Sequence, residues 1–597
     1  RVYPVRPAKL RMYQIMGLLS RNKPNRWIFL AATVCCSVLV ACKSSYYKKK
    51  TDKDVYSIIE QIETDLFGES SEFSVDTRYS ERLPEDISSQ EIIDDRNFKE
   101  EKYIDINTSI DLAIQSSREY QNQKESLYLT ALSLSETEFV FSPNFLARST
   151  ASGDRGSNGE RSGGVNSRLS VNQALRTGGN IGASFANDLL KFYTGNPRRS
   201  AVSTISVNLF QPLLRDAGSR VATENLKQAE RNVAYAIRDF SHFQNEFSVN
   251  TVLDYFRLLQ NKDIIRNRYL DYQSRTNQTV RLNRRLDAGL ETSVGIGQAQ
   301  QAELSTRNSY INVIANYQTT LDRFKINLGL PLGIDLDLDD SALESLSQEG
   351  LPLLDIDAEY AFELALEYSW PLMNDIDRFE DSKRKVYVAA NRLKTGIDFF
   401  ADASLSSDRP TDYTSFDPDD IRAGMGVEFD LPINRFRERN QYRSTIISFE
   451  AALRRLSLAL DNKRNQIRLG LRNLKQFEQN YQIQKLAVQL ADERVKGADL
   501  NYQAGRATIR DIQDAQDDLV AARNSLITLV VDYLESRMSL LLDIGILRTN
   551  RNAFWIDESA VLVHLKTGQR KSEESFNEGA EEGDDLALPT HEELFNK

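Results

Sequence analysis

Tyr502-Gln503-Ala504-Gly505-Arg506-Ala507-Thr508-Ile509-Arg510-Asp511-Ile512-Gln513-Asp514-Ala515 is the stretch on which the reading turns. Its glycine interrupts an otherwise helical pattern, and 216 residues earlier the chain does the same thing. Ala288-Gly289-x-x-Thr292 matches Ala504-Gly505-x-x-Thr508, and Ala299-Gln300 matches Ala515-Gln516 at the same offset. A motif repeated at fixed spacing marks two copies of one structural unit.

Outward from each glycine lie long segments without proline, Pro212 to Pro331 and Pro432 to Pro589. In the first, Val252, Leu253, Phe256, Leu259 and Leu270 recur at helical spacing among Lys, Arg, Glu, Asn and Gln. In the second, Leu453, Leu456, Leu460, Ile467, Leu471, Leu474 and Leu486 do likewise. Each interval therefore predicts a helix of about 70 residues and a return helix of about 40, with a break at the glycine. At 1.5 Å per residue the longer one reaches about 105 Å and must pack along its length against others.

Upstream of each long helix, alternation ends at a proline: Ile205-x-Val207-x-Leu209-Phe210-Gln211-Pro212 and Val427-x-Phe429-x-Leu431-Pro432. Farther back, Leu112-Ala113 matches Leu364-Ala365 at an offset of 252. The first copy thus holds about 36 extra residues, and they fall in its strand region. Leu169-x-Val171 and Ile181-x-Ala183-x-Phe185 flank Thr177-Gly178-Gly179-Asn180, so the insertion predicts a hairpin, either in the sheet or as a loop above it. The Gly295-Ile296-Gly297 run lacks a third glycine and reads as a loop.

The 597 residues are 41% hydrophobic and 27% charged, with a mean hydropathy of -0.46. Only one apolar run approaches membrane-spanning length, near the N-terminus, so a polytopic helical membrane protein is excluded and a crossing would use strands. All 3 cysteines lie by that run, and the 3 histidines, His242, His564 and His591, are far apart in sequence. No metal site or cofactor is expected. Neither a phosphate loop nor a Gly-x-Ser-x-Gly elbow occurs, and an enzyme is not expected.

Residues 1–41 carry seven Lys or Arg and no acid, then the apolar run Trp27 to Ala41 and Leu39-Val40-Ala41-Cys42. This predicts a signal peptide over 1–41. Residues 42–101 read as a linker, with Tyr46-Tyr47-Lys48-Lys49-Lys50 as a tether and Val55 to Phe67 as a docking helix. Residues 548–597 turn acidic and read as a mostly disordered tail. Removing the signal takes the net charge from -11 to -18, which speaks against nucleic acid as a partner.

Leu-x-Ala-Cys resembles the lipobox of bacterial lipoproteins, which implies cleavage before Cys42 and a diacylglycerol on its sulfur. Behind it, the tandem repeat from about Thr108 to Leu547 resembles the TolC family of outer-membrane efflux proteins. The fold this implies is mainly α with membrane β: two tandem repeats per chain, 102–335 and 336–547. The strands fall at about 143–212 and 397–432, the helices at about 216–329 and 435–547. Three chains would share one transmembrane β-barrel and an α-barrel of very long helices, in the outer membrane with a periplasmic extension.

The resemblance also implies the partners: outer-membrane lipid, a periplasmic adaptor (membrane fusion) protein, and an inner-membrane pump or type I exporter. The adaptor would dock at Gly289, Thr292, Gly505 and Thr508. The gate would be Tyr502, Asp511 and Asp514, since two aspartates three apart on one helix give acidic rings under threefold symmetry. The plainer reading makes both aspartates solvated carboxylates at a helix N-terminus. Ala507 stands where the family often has arginine, and Gly295 stands where the second copy has Asp511. The rival architecture is a lipid-anchored periplasmic coiled-coil scaffold without transport, which would not need two β regions.

Overall fold

The order helix, strands, long helix, return helix is laid down twice in the computed structural model. It describes residues 44–547 apart from 158, 195–198, 344–350, 352–353, 355 and 408–413. The expected signal peptide, Cys42 and the acidic tail lie outside the described residues.

The first helix, α1, spans Ser44–Phe67 and includes the segment expected as a tether. Tyr46 to Lys50 are helical because neither Gly nor Pro interrupts the run. Farther along, Val55 and Ile59 lock it down against Leu127, Ala131, Leu134, Val233 and Ile237. A second short helix, α2 (Ser89–Arg96), starts at Ser88, whose side chain accepts from the Glu91 amide. The expected linker is therefore largely ordered.

The first copy runs β1 (Glu101–Ile104), α3 (Ile106–Ser116), α4 (Arg118–Phe139), β2 (Asn144–Arg155), β3 (Arg161–Ala174), β4 (Asn180–Phe192), β5 (Arg199–Pro212), α5 (Glu224–Asp287) and α6 (Ser293–Asn327). The second runs β6 (Asp335–Leu338), α7 (Ala358–Tyr368), α8 (Trp370–Asn391), β7 (Gly396–Ser406), β8 (Arg422–Asp430), α9 (Phe436–Gln503) and α10 (Ile509–Ile544). The long helices have 64 and 68 residues and the return helices 35 and 36. Gly295 to Gly297, expected in a loop, sit in the first turns of α6. There the Thr292 cap holds the Gly295 amide and outweighs the low helix propensity of glycine.

β1 and β6, equivalent strands of the two copies, pair in parallel, Glu101 with Asp335 through Ile104 with Leu338. They seat the main core, where Tyr255 is fully buried with its hydroxyl 3.1 and 3.0 Å from the carbonyl oxygens of Ile104 and Asp339. Two glycines close this region in matching ways. Gly329, after α6, and Gly545, after α10, have φ of +75° and +86°. A Cβ there would stand 2.0 Å from the Ser116 carbonyl oxygen and 2.3 Å from that of Tyr368. Only glycine allows both the left-handed backbone and the close approach.

The apolar helix positions divide. Val252, Leu253, Phe256, Leu259, Ile467 and Leu474 are buried, whereas Leu270, Leu453 and Leu486 are exposed. The six longer strands form one antiparallel sheet in the order β2-β3-β4-β5-β7-β8. The inserted hairpin is β3 and β4, paired from Ser162 with Phe192 to Ala174 with Asn180. Both of its strands also pair outward, β3 with β2 and β4 with β5. It belongs to the sheet and is not a loop above it.

Candidate functional site

Each long helix ends in the same device. After α5, the amide of Leu290 donates to the Arg285 carbonyl and that of Gly289 to the Leu286 carbonyl, both at 2.8 Å. After α9, Arg506 donates to Asn501 at 2.8 Å and Gly505 to Tyr502 at 3.0 Å. Gly289 and Gly505 have φ of +69° and +70°, the left-handed residue such a cap requires. Three residues on, Thr292 and Thr508 cap the return helices, accepting from the amides of Gly295 and Asp511. The repeated Ala-Gly-x-x-Thr is thus a helix stop followed at once by a helix start. Nothing lies within 4 Å of a Cβ built on either glycine, so both tips present open surface.

The two tips differ in which acid completes the cap. In the second, Asp511 Oδ2 accepts from the amide and the hydroxyl of Thr508, each at 2.7 Å, a reciprocal capping box. Those bonds, the backbone one foremost, hold the Asp511 carboxyl below the usual aspartate range. In the first tip Gly295 occupies the matching position, and the Thr292 amide turns to Glu291 Oε1 at 3.1 Å. Asp514, one turn beyond Asp511, is exposed, whereas Ile512 and Ala515 between and beside them are buried.

Tyr502 joins the copies. Its hydroxyl donates to Glu291 Oε2 at 2.6 Å, and the Arg285 guanidinium sits 5.2 Å from its ring centroid. Burial and the Glu291 bond push the phenol up to about 12. The same bond, with the Thr292 amide, holds the Glu291 carboxyl below its usual range. Beneath them Leu282, Ile296, Ala299, Ile509 and Ile512 form a small apolar core shared by both tips.

Of the expected site residues, the structure therefore joins Tyr502 to the tip of Gly289 and Thr292, and Asp511 to Thr508. It leaves Asp514 on the surface. Glu291 and Arg285 were not anticipated. Glu291 is the residue equivalent to Ala507 across the repeat, so one of the two positions that depart from the resembled motif was the available signal. Above the tips a polar ladder binds α5 to α10. The 3% exposed Arg275 reaches Asp271 at 3.0 Å and Asp517 at 2.5 Å, and Gln260 reaches Thr528 at 2.7 Å. Among the described residues no group of His, Cys, Asp or Glu is placed to hold a metal ion, and no helix is long and apolar enough to cross a membrane.

Two copies of strands, very long helix and return helix give this chain the fold of solved outer-membrane efflux channels, the TolC-like fold. Among solved structures the chain is similar to CusC, with a TM-score of 0.56 and 14% identity over 74% of this chain and 92% of that one. It is also similar to the outer membrane protein VceC of Vibrio cholerae, at 0.55 and 16% over 74% and 96%. The CmeC outer membrane channel of Campylobacter jejuni matches at 0.54 and 15% over 85% and 97%. No protein-family model and no curated protein matches the sequence.

Proposed function

We propose that this protein is a passive exit duct of the outer membrane: a homotrimer anchored by a lipid on Cys42, closed at its periplasmic helix tips. Asp511 and Asp514 would form the acidic rings of the gate and Tyr502 its tie. An adaptor would dock on the open tip surface around Gly289, Thr292, Gly505 and Thr508. Energy would come from an inner-membrane pump or exporter that the adaptor couples to the duct.

The observation that carries this reading is the two-faced sheet. Phe145, Val165, Leu169, Ile181, Phe185, Leu189, Ile205, Val207, Met425, Val427 and Phe429 all lie on one face and are exposed. That much apolar surface is stable against lipid and not against water. The long helices need neighbours as well, since only Ile467, Leu474, Tyr481 and Ala491 are buried among the 68 residues of α9. A scaffold would need no lipid-facing sheet. The test is electrical: purified protein in planar bilayers should conduct, with openings that depend on the tips. A trimer that inserts and never conducts, even with the tips mutated, would return the chain to the scaffold reading.

A further inference from the structure

The first copy supplies four strands to the sheet and the second two, so the β3–β4 hairpin doubles one copy's share of the wall. Resting on the duct reading above, we infer that this hairpin is membrane wall, that β8 of one copy pairs with β2 of the next, and that three copies of the six-stranded sheet close an 18-stranded barrel.

The two faces of the hairpin carry the argument. Along the paired rows the register places Ala147, Leu169, Phe185 and Ile205 on one face, with Ala151, Val165, Leu189 and Ala201 four residues on and Ser149, Ser167, Asn187 and Ser203 between them. The adjoining rows hold Arg148, Arg168, Ala186 and Thr204, and Asn166 with Asp188. The same two faces thus continue from β2 and β5 through β3 and β4, as a wall between lipid and water demands, with one small polar row on the apolar side. Polar groups on the apolar face answer one another: Ser149 and Ser167 hydroxyls are 2.8 Å apart, and the Asn187 amide donates to Ser203 at 2.9 Å. The hairpin spans the sheet's full height. Its turn lies at the helix end, where Gln173 donates to the Phe141 carbonyl at 2.9 Å and Gly218 to that of Thr177 at 2.9 Å.

Closure and width follow from the register. Along the row Asn144, Asn172, Gly182, Asn208, Asp402, Gly424, strand β8 runs on to Asp430, six residues closer to the helices than β2 begins. That slide over five strand spacings, at about 3.3 Å per residue and 4.8 Å per strand, sets a tilt of about 40°, the tilt of closed membrane barrels. With six alternating strands, the edges β8 and β2 run opposite ways, so copies join without breaking the antiparallel order. Unpaired edges cannot face lipid, and a second copy satisfies them. Eighteen strands at that tilt give a backbone diameter of about 36 Å, against about 24 Å for the twelve left without the hairpin. With about 5 Å of side chain on each side, the mouth is about 25 Å wide and admits hydrated cargo of small-domain girth.

Single cysteines carrying bimane at positions 169, 170, 184 and 185 test the wall in reconstituted full-length trimers. Leu169→Cys and Phe185→Cys should be quenched severalfold more by brominated lipid than Ser170→Cys and Ser184→Cys. Equal quenching on both faces overturns the inference, and so does a stoichiometry other than three. Deleting residues 160–194 joins β2 to β5 and should lower the polyethylene glycol diameter that enters the outer mouth by nearly half; an unchanged cut-off overturns the inference. If that variant does not assemble, the quenching pattern still decides. A wild type that never conducts counts against the duct itself, whereas a conducting one with unquenched positions 169 and 185 counts only against the widened wall.

Discussion

The Tyr502 hydroxyl donates to Glu291 Oε2 at 2.6 Å, tying the last turn of α9 to the break between α5 and α6 within one chain. The two residues are 211 positions apart, and the bond spans the repeat. Glu291 also caps the Thr292 amide, so one carboxylate serves both the helix start and the tie. Loosening this pair loosens the tip without unfolding the rods above it.

Tyr502→Phe should therefore raise resting conductance in planar bilayers and cost about 1 kcal/mol of local stability, the ordinary net worth of such a bond. Helix content by circular dichroism should not change. Resting conductance equal to wild type would remove Tyr502 from the gate.

Acid should act through the same pair. A carboxylate with a folded pKa below its unfolded one contributes stability above the unfolded value and loses it as pH falls through the folded one. The Tyr502 bond and the Thr292 amide depress Glu291, so the tie is fully present above the ordinary glutamate range and is lost as pH falls through the lowered value. Asp511 is depressed too and titrates in the same direction. Conductance should rise on acidification below the ordinary carboxylate range, and Glu291→Gln should show only the part of that rise due to Asp511. Superposable titrations of wild type and variant would exclude Glu291 as the sensor.

Asp511→Asn with Asp514→Asn separates gate from cap. If the two carboxylates make acidic rings, periplasmic divalent cations block the wild type at low salt and the double variant escapes, with cation preference reduced. If Asp511 only completes the box with Thr508, block stays equal and the variant shows only a small loss of thermal stability from the weakened cap. Single-channel recording beside thermal melting distinguishes them.

The glycines should rank sharply. Gly329→Ala or Gly545→Ala drives a methyl into a backbone carbonyl at positive φ and should cost on the order of 3 kcal/mol or prevent folding. Gly289→Ala and Gly505→Ala meet open space and should cost about 1–2 kcal/mol, the left-handed penalty alone. Limited proteolysis of the four purified variants would show the order.

Cys42→Ser should abolish labelling by radioactive lipid precursor and leave the precursor uncleaved. Labelling at the wild-type level would place the anchor elsewhere.

The sequence by itself determined what short-range physics writes: the tandem copies, the proline-free rods, the Gly289 and Gly505 breaks, and a hairpin turning at Thr177 to Asn180. Helix caps, tight turns and apolar periodicity depend on residues within a turn or two of each other, and they can be read in a line. It misread Tyr46 to Lys50 and Gly295 to Gly297. Tyr46 to Lys50 continue the helix that Val55 and Ile59 seat against the core, and the Thr292 cap outweighs the low helix propensity of the two glycines. Tertiary structure alone decided that Tyr502 meets Glu291, that Gly329 meets Ser116, and that β5 pairs with β7 from the other copy. Each joins residues some two hundred positions apart, where no periodicity reaches and partners are chosen by packing. The inserted hairpin shows the division most plainly. Its turn is local chemistry, but its place in the sheet depends on unpaired strand edges on both sides, and those exist only once the chain has folded.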